Sequence, residues 1–177
     1  MRTVAASRCT LEPLVAAHAH EMFQVLSDPA IYEFENAPPP SEEWLRLRYG
    51  RLESRGPADG TQRWLNWVVR LADGRLAGYV QATVLADGTS YVAYELGSRF
   101  WRQGIGSSAV RAVLEELRCH YQVHRYVAVL KARNFRSQAL LEKLGFSAAA
   151  AQEEARHRDS PDERVMVKAA DAGTDAA

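Results

Sequence analysis

Cysteine is nearly missing from this chain, where only Cys9 and Cys119 carry a thiol. Two cysteines so far apart build neither a disulfide framework nor a zinc site, and a reducing cytoplasm is the expected compartment. An excess of one charge is missing too. Lysine plus arginine number 22 and aspartate plus glutamate 22, so the net charge is +0, and nothing in that balance points to nucleic acid or an anionic membrane as partner. No apolar run reaches the roughly 20 residues that cross a bilayer. Met1–Leu14 is interrupted by Arg2, Arg8 and Glu12, so no secretory leader is expected. The histidines lack ligand spacing. His18 and His20 are two apart on a helix and face different ways, and His120, His124 and His157 offer no pairing, so no metal is expected. Arg156-His157-Arg158 reads as a solvated loop. Repeats and low-complexity linkers are absent as well. What remains is one domain over residues 1–168, with room for a sizeable core, and a small polar tail at 169–177 expected to be disordered.

Two Asp-Gly pairs organise the middle of the chain. Asp73-Gly74 separates Trp64–Leu71 from Arg75–Leu85, and Asp87-Gly88 separates that run from Thr89–Leu96. Asp-Gly favours the positive φ angles of tight hairpins, and the flanking runs are rich in valine, leucine, tyrosine and tryptophan. An antiparallel three-stranded meander follows. Next, Gly106, Val110, Val113, Leu114 and Leu117 recur at helical spacing, giving a helix from about Gly104 to His120. Tyr126–Leu130 has the apolar character of a buried strand, so strand, helix and strand imply a right-handed crossover and a parallel pair. Asn134 caps a further helix with Ala139, Leu140 and Leu144 as its apolar stripe and Gly145 as its stop. Arg164–Lys168 adds a last strand. Toward the N-terminus, Val15, Ala19, Met22, Phe23 and Leu26 mark an amphipathic helix ended by Asp28-Pro29. Ser41-Glu42-Glu43 opens another that carries Leu45, Tyr49 and Leu52. The fold class is mixed α/β (α+β), one domain with a mixed central sheet and helices on both faces.

Gly104-Ile105-Gly106 stands where a strand ends and a helix begins. A helix start leaves amide N–H groups unpaired and carries partial positive charge, which suits phosphate oxygens, and glycine lets a ligand approach the backbone. Arg99, Arg102, Ser107 and Ser108 add cations and donors. The segment also satisfies the Gly-x-Gly-x-x-Ala dinucleotide fingerprint, but that motif needs a parallel β-α-β unit and an acid about 20 residues later. Here the preceding strand belongs to an antiparallel meander, and His124-Arg125 occupies the acid's place.

Trp101-Arg102-Gln103-Gly104-Ile105-Gly106 resembles the Gln/Arg-x-x-Gly-x-Gly/Ala motif of the GNAT acetyltransferase superfamily, with tryptophan at the first position as in the branch of ribosomal-protein N-terminal acetyltransferases. Asn134-x-x-Ser137 leading into Leu141-Glu142-Lys143-Leu144-Gly145-Phe146 is similar to the family's second cofactor motif, and Leu26–Tyr32 to its opening helix and loop. The resemblance covers roughly Leu11 to Phe146. It implies acetyl-CoA as co-substrate, with the pantetheine arm lying between two splayed strands. Main-chain groups near Tyr94, Leu96 and Ser98 would pair with that arm. Amides over Arg102, Gln103, Gly104, Ile105, Gly106 and Ser107 would hold the pyrophosphate, and Asn134 belongs to the second cofactor motif.

Direct attack by an amine needs a proton acceptor, an oxyanion donor and a proton for the departing thiolate. The family's proton-donating tyrosine is replaced by Leu141. Ser137, one helical turn earlier, is the nearest substitute, and capping of its helix is its alternative role. Glu95, inside the apolar run Tyr91–Leu96, is the candidate general base. Glu33 and Glu35 are its rivals, in a loop that covers the acceptor cleft in related enzymes, where Tyr32, Phe34 and Asn36 would also lie. Arg133 and Arg136 flank the second helix start, within reach of a phosphate or of surface acids. The expected activity is acetyl transfer to a primary amine of a small molecule or a protein N-terminus, by a monomer or homodimer. The alternative is a non-catalytic acyl-CoA-binding or regulatory module.

Overall fold

The computed structural model of the protein describes residues 1–34 and 36–170. Eight strands form one sheet: β1 (Val4–Ala6), β2 (Cys9–Pro13), β3 (Gln62–Arg70), β4 (Leu76–Leu85), β5 (Thr89–Leu96), β6 (Arg125–Lys131), β7 (Ser147–Ala148) and β8 (Glu163–Ala169). Their order across the sheet is β1-β2-β3-β4-β5-β6-β8-β7. Both Asp-Gly hairpins form, and β3-β4-β5 is the antiparallel meander that they dictate. The helices are α1 (Ala19–Leu26), α2 (Glu42–Leu52), α3 (Ile105–Tyr121), α4 (Phe135–Lys143) and α5 (Ala151–His157). The crossover from β5 through α3 makes β5 and β6 parallel neighbours. Among the described residues no helix is long and apolar enough to cross a membrane.

Two apolar layers hold the sheet between helices. Leu65, Trp67, Val69, Val80 and Val92 pack with Val110, Val113 and Leu117 of α3, with Leu141 of α4 and with Leu144 just beyond its end. On the opposite face Val68 and Leu76 pack with Met22, Val25 and Leu26 of α1 and Leu45 and Tyr49 of α2. Because β3 is covered on both faces, Asn66 and Val68 are buried along with Leu65 and Trp67, so the strand is not simply half wet. Ser41 caps α2 by accepting from Trp44 N–H, and Asn134 caps α4 by accepting from Ser137 N–H.

Several elements depart from the expectations. The N-terminal residues supply β1 and β2, whose partner β3 is far along the chain. In α4 the buried position is Leu141, whereas Ala139 is exposed. Arg156-His157-Arg158 is no free loop, since His157 ends α5 and its Nδ1 meets the Tyr91 hydroxyl at 2.6 Å. Ala169, assigned to the tail, closes β8, and Ala170 N–H donates to His124 O. The remainder of the expected tail, 171–177, lies outside the described residues.

Candidate active site

The parallel pair β5–β6 stays in register only at Thr89↔Arg125, Ser90↔Tyr126 and Tyr91↔Val127. Beyond Tyr91 the strands part, β5 running on to Leu96 and β6 to Lys131. A cavity of ≈ 510 Å³ fills the opening, bordered by both strands, the glycine loop and the start of α4. Gly97 N–H donates to Ala77 O, so β5's alternation turns the main-chain groups of Tyr94 and Leu96 away from β4 and into this gap. The Leu96 carbonyl accepts from the Trp101 indole at 2.8 Å, a tie that the motif gave no reason to expect.

At the head of the cavity Gly104 takes φ +76, a left-handed conformation that favours glycine. It precedes α3 with no capping side chain, and the first helical bond runs from Ser108 N–H to Gly104 O. The amides of Ile105, Gly106 and Ser107 therefore face outward with the positive end of a 17-residue helix behind them. Arg102, Gly104, Ile105, Gly106, Ser107 and Asn134 border the cavity. Gln103 borders an adjoining groove instead. Ser98 borders neither, and its N–H already donates to Asp28 Oδ2 at 2.8 Å. Hydrogen bonding from Ser98, its side chain first and then its N–H, together with Ala30 N–H on Oδ1, holds the Asp28 carboxyl below its ordinary range.

Ser137 of α4 and Tyr94 of β5 meet in the cavity wall. The Ser137 hydroxyl lies 2.8 Å from the Tyr94 hydroxyl, and since Asn134 supplies the cap of α4, Ser137 Oγ has no capping duty there. Burial pushes the Tyr94 phenol up to about 12, so it stays a proton carrier at neutral pH. Leu141 is buried in the same wall.

Glu95 lies at the mouth, on the face opposite α3 and α4. The approach of β4 to β5 there requires Gly78, because a Cβ at that position would stand 2.0 Å from Glu95 O. Tyr79 is the direct cross-strand partner of Glu95, and its hydroxyl donates to the carboxylate. Burial first, and Glu95 second, hold that phenol well above its ordinary value. Asn36 Nδ2 donates to Glu95 Oε1 at 3.3 Å. Tyr79 was missed from the sequence, yet it and Glu95 are equidistant from Asp87 in the hairpin, so their pairing was legible there.

The N-terminal loop closes one side. Ile31, Phe34 and Asn36 border the cavity, whereas Tyr32 and Glu33 do not. Tyr32 O–H donates to Leu26 O, and Glu33 pairs with Arg136 at 2.6 Å. The Arg136 guanidinium also lies over Trp101 at 4.1 Å and Phe34 at 5.4 Å, which straps the loop to the start of α4. Glu35 lies outside the described residues. Among the described residues no group of His, Cys, Asp and Glu is arranged to hold a metal ion.

The sequence model of the acetyltransferase (GNAT) domain matches residues 8–147. No curated protein sequence matches. Solved structures share the fold at low identity. RimL, a ribosomal α-N-protein acetyltransferase in complex with coenzyme A, is 17% identical over 97% of this chain and 99% of its own, with a TM-score of 0.80. A ribosomal-protein alanine acetyltransferase from Vibrio fischeri is 17% identical over 96% and 97%, with a TM-score of 0.77. The microcin self-immunity acetyltransferase MccE, in complex with acetyl-CoA and AMP, is 18% identical over 92% and 93%, with a TM-score of 0.78.

Proposed function

The chain belongs to the GNAT acetyltransferase family, and from that premise we propose that it moves an acetyl group from acetyl-CoA to a primary amine, of a small molecule or a protein N-terminus, in a ternary complex. One observation carries the reading: the gap between β5 and β6 ends at the unpaired amides of α3. A slim, hydrogen-bonding arm fits beside a strand edge, and a pyrophosphate fits a helix start. The residues present thus suit coenzyme A.

Acetyl-CoA supplies an activated acetyl group on a thiolate leaving group. The chain's residues divide the remaining work. Glu95, oriented by Tyr79 and Asn36, takes the proton from the incoming amine. A main-chain N–H of β5 turned into the gap stabilises charge on the carbonyl oxygen. Ser137, backed by the Tyr94 hydroxyl, hands a proton to the sulfur. The strapped loop at Phe34 narrows the acceptor side and excludes water.

The test is thiol release from acetyl-CoA across a panel of amines and N-terminal peptides, with product mass as the second readout. Amine-dependent release with an acetylated product is the expected result. Tight acetyl-CoA binding with no turnover on any amine favours the non-catalytic module, and an absence of binding refutes the acyl-CoA reading.

A further inference from the structure

An open groove of ≈ 550 Å³ adjoins the glycine loop, and Phe100 and Ile105 border both this groove and the cavity between the splayed strands. Three guanidinium groups line it, Arg8, Arg75 and Arg99, against one carboxylate, Asp73. Asp73 is engaged by Arg75 at 2.6 Å. Among the described residues Arg8 and Arg99 form no ion pair, although Asp28 feels the Arg99 charge from farther away. The groove therefore holds two unneutralised cations in a concave surface.

Both cations are held in place. Arg8 N–H donates to Ser108 Oγ at 3.1 Å, and Ser7 Oγ meets the same hydroxyl at 2.9 Å, so the β1–β2 turn is tied to the first turn of α3. The Arg8 Nε is 3.1 Å from where a Cβ on Gly104 would stand, which puts this side chain in contact with the glycine loop. The Arg99 and Arg75 guanidiniums lie over the Phe100 ring at 4.7 and 5.7 Å. On the opposite flank Arg133 and Arg136 are already stacked on Phe34, and Arg136 is paired with Glu33.

The geometry points to a phosphomonoester site: Arg8 and Arg99 bind the 3′-phosphate on the ribose of coenzyme A. This rests on the acyl-CoA reading above. If the loop amides hold the pyrophosphate, the 3′-phosphate hangs one ribose away, and a cation touching the loop is within its reach. A phosphomonoester is close to a dianion at neutral pH, and a guanidinium fork matches its oxygens. The groove would thus separate coenzyme A from carriers that share its pantetheine but lack this phosphate.

Calorimetry on the full chain with coenzyme A and 3′-dephospho-coenzyme A decides the matter, using wild type and the Arg8→Gln/Arg99→Gln double variant. Both side chains are exposed, so the variant should keep its unfolding midpoint. The wild type should prefer coenzyme A by about tenfold, a modest factor because an open groove weakens charge pairing. In the double variant the preference should shrink to within about twofold, with dephospho-coenzyme A affinity unmoved. Equal binding of the two by the wild type overturns the inference alone, as it would if the phosphate belonged to a phosphorylated acceptor instead. A preference that survives in the double variant overturns it as well. If neither ligand binds the wild type, the acyl-CoA reading fails, and the inference with it.

Discussion

Gly106→Val strikes the point where the glycine loop meets α4. A Cβ on Gly106 would stand 3.0 Å from Leu140 Cδ1 and 3.5 Å from Leu96 Cδ1, both in the cavity wall. The Cβ alone asks the end of Leu140 to yield by a few tenths of an ångström. Two further methyls reach deeper and must turn Leu140 off its rotamer or tilt α4. Overpacking of this kind costs roughly 1–3 kcal/mol, partly offset because valine is a slightly better helix residue than glycine. A net loss of about 1–2 kcal/mol lowers the unfolding midpoint by roughly 2–8 °C in a chain of this size. Binding should suffer more. The added methyls occupy the slot beside the unpaired amides, so coenzyme A affinity should fall by about a hundredfold, which is about 2.7 kcal/mol and the worth of one or two charge-assisted hydrogen bonds. Gly106→Ala adds only the Cβ and should lose less than about tenfold. Unfolding midpoints without ligand and calorimetric affinities for the same variants give both numbers. A folded Gly106→Val protein that binds coenzyme A like wild type would refute the slot.

Glu95→Gln should lower kcat by about 10²–10⁴-fold with acetyl-CoA affinity unmoved; an unchanged rate at neutral pH would pass the base role to another group. Ser137→Ala should lower kcat more for acyl donors with poor leaving thiols than for those with good ones, and a uniform loss across such donors would confine Ser137 to positioning. Stability should fall at alkaline pH. Burial raises the Tyr94 phenol to about 12 from 10.0 and pushes Tyr79 up as well, so the unfolded chain loses these protons first. Their contribution is whole below about pH 10 and is lost as pH rises through the folded values. Urea midpoints should hold from pH 8 to about 10 and decline above it, with a shallower decline in Tyr94→Phe; equal slopes would contradict this.

Local chemistry made the meander, the glycine loop and the Asn134 cap legible, because each depends on residues near in sequence: Asp-Gly turns, Gly104 at positive φ, an amide side chain at a helix start. The sites that escaped depend on distant partners. β1 has three residues and gains its place only by pairing with β2 beside β3. The polar α5 is anchored by Tyr91 and by Arg125, whose Nε donates to Glu153 at 3.0 Å. Arg136 does reach a surface acid, Glu33, as its place at the helix start allowed, but its stacking on Trp101 and Phe34 depends on residues distant in sequence. Gly106 meets Leu140 of α4 and Leu96 of β5 in the cavity wall, contacts set by tertiary packing rather than by its own motif. Ser137 could have capped α4, but Tyr94 claims its hydroxyl.

Hydrogen exchange of the backbone, read by mass spectrometry with and without acetyl-CoA, tests the central claim most directly. The claim is that the outward amides at the start of α3 and the parted edge of β5 together hold the cofactor. Acetyl-CoA should slow exchange in peptides covering 102–107 and 92–96, while α2 exchanges as before. Saturating acetyl-CoA that leaves both segments unchanged, or protects only distant ones, would contradict the account.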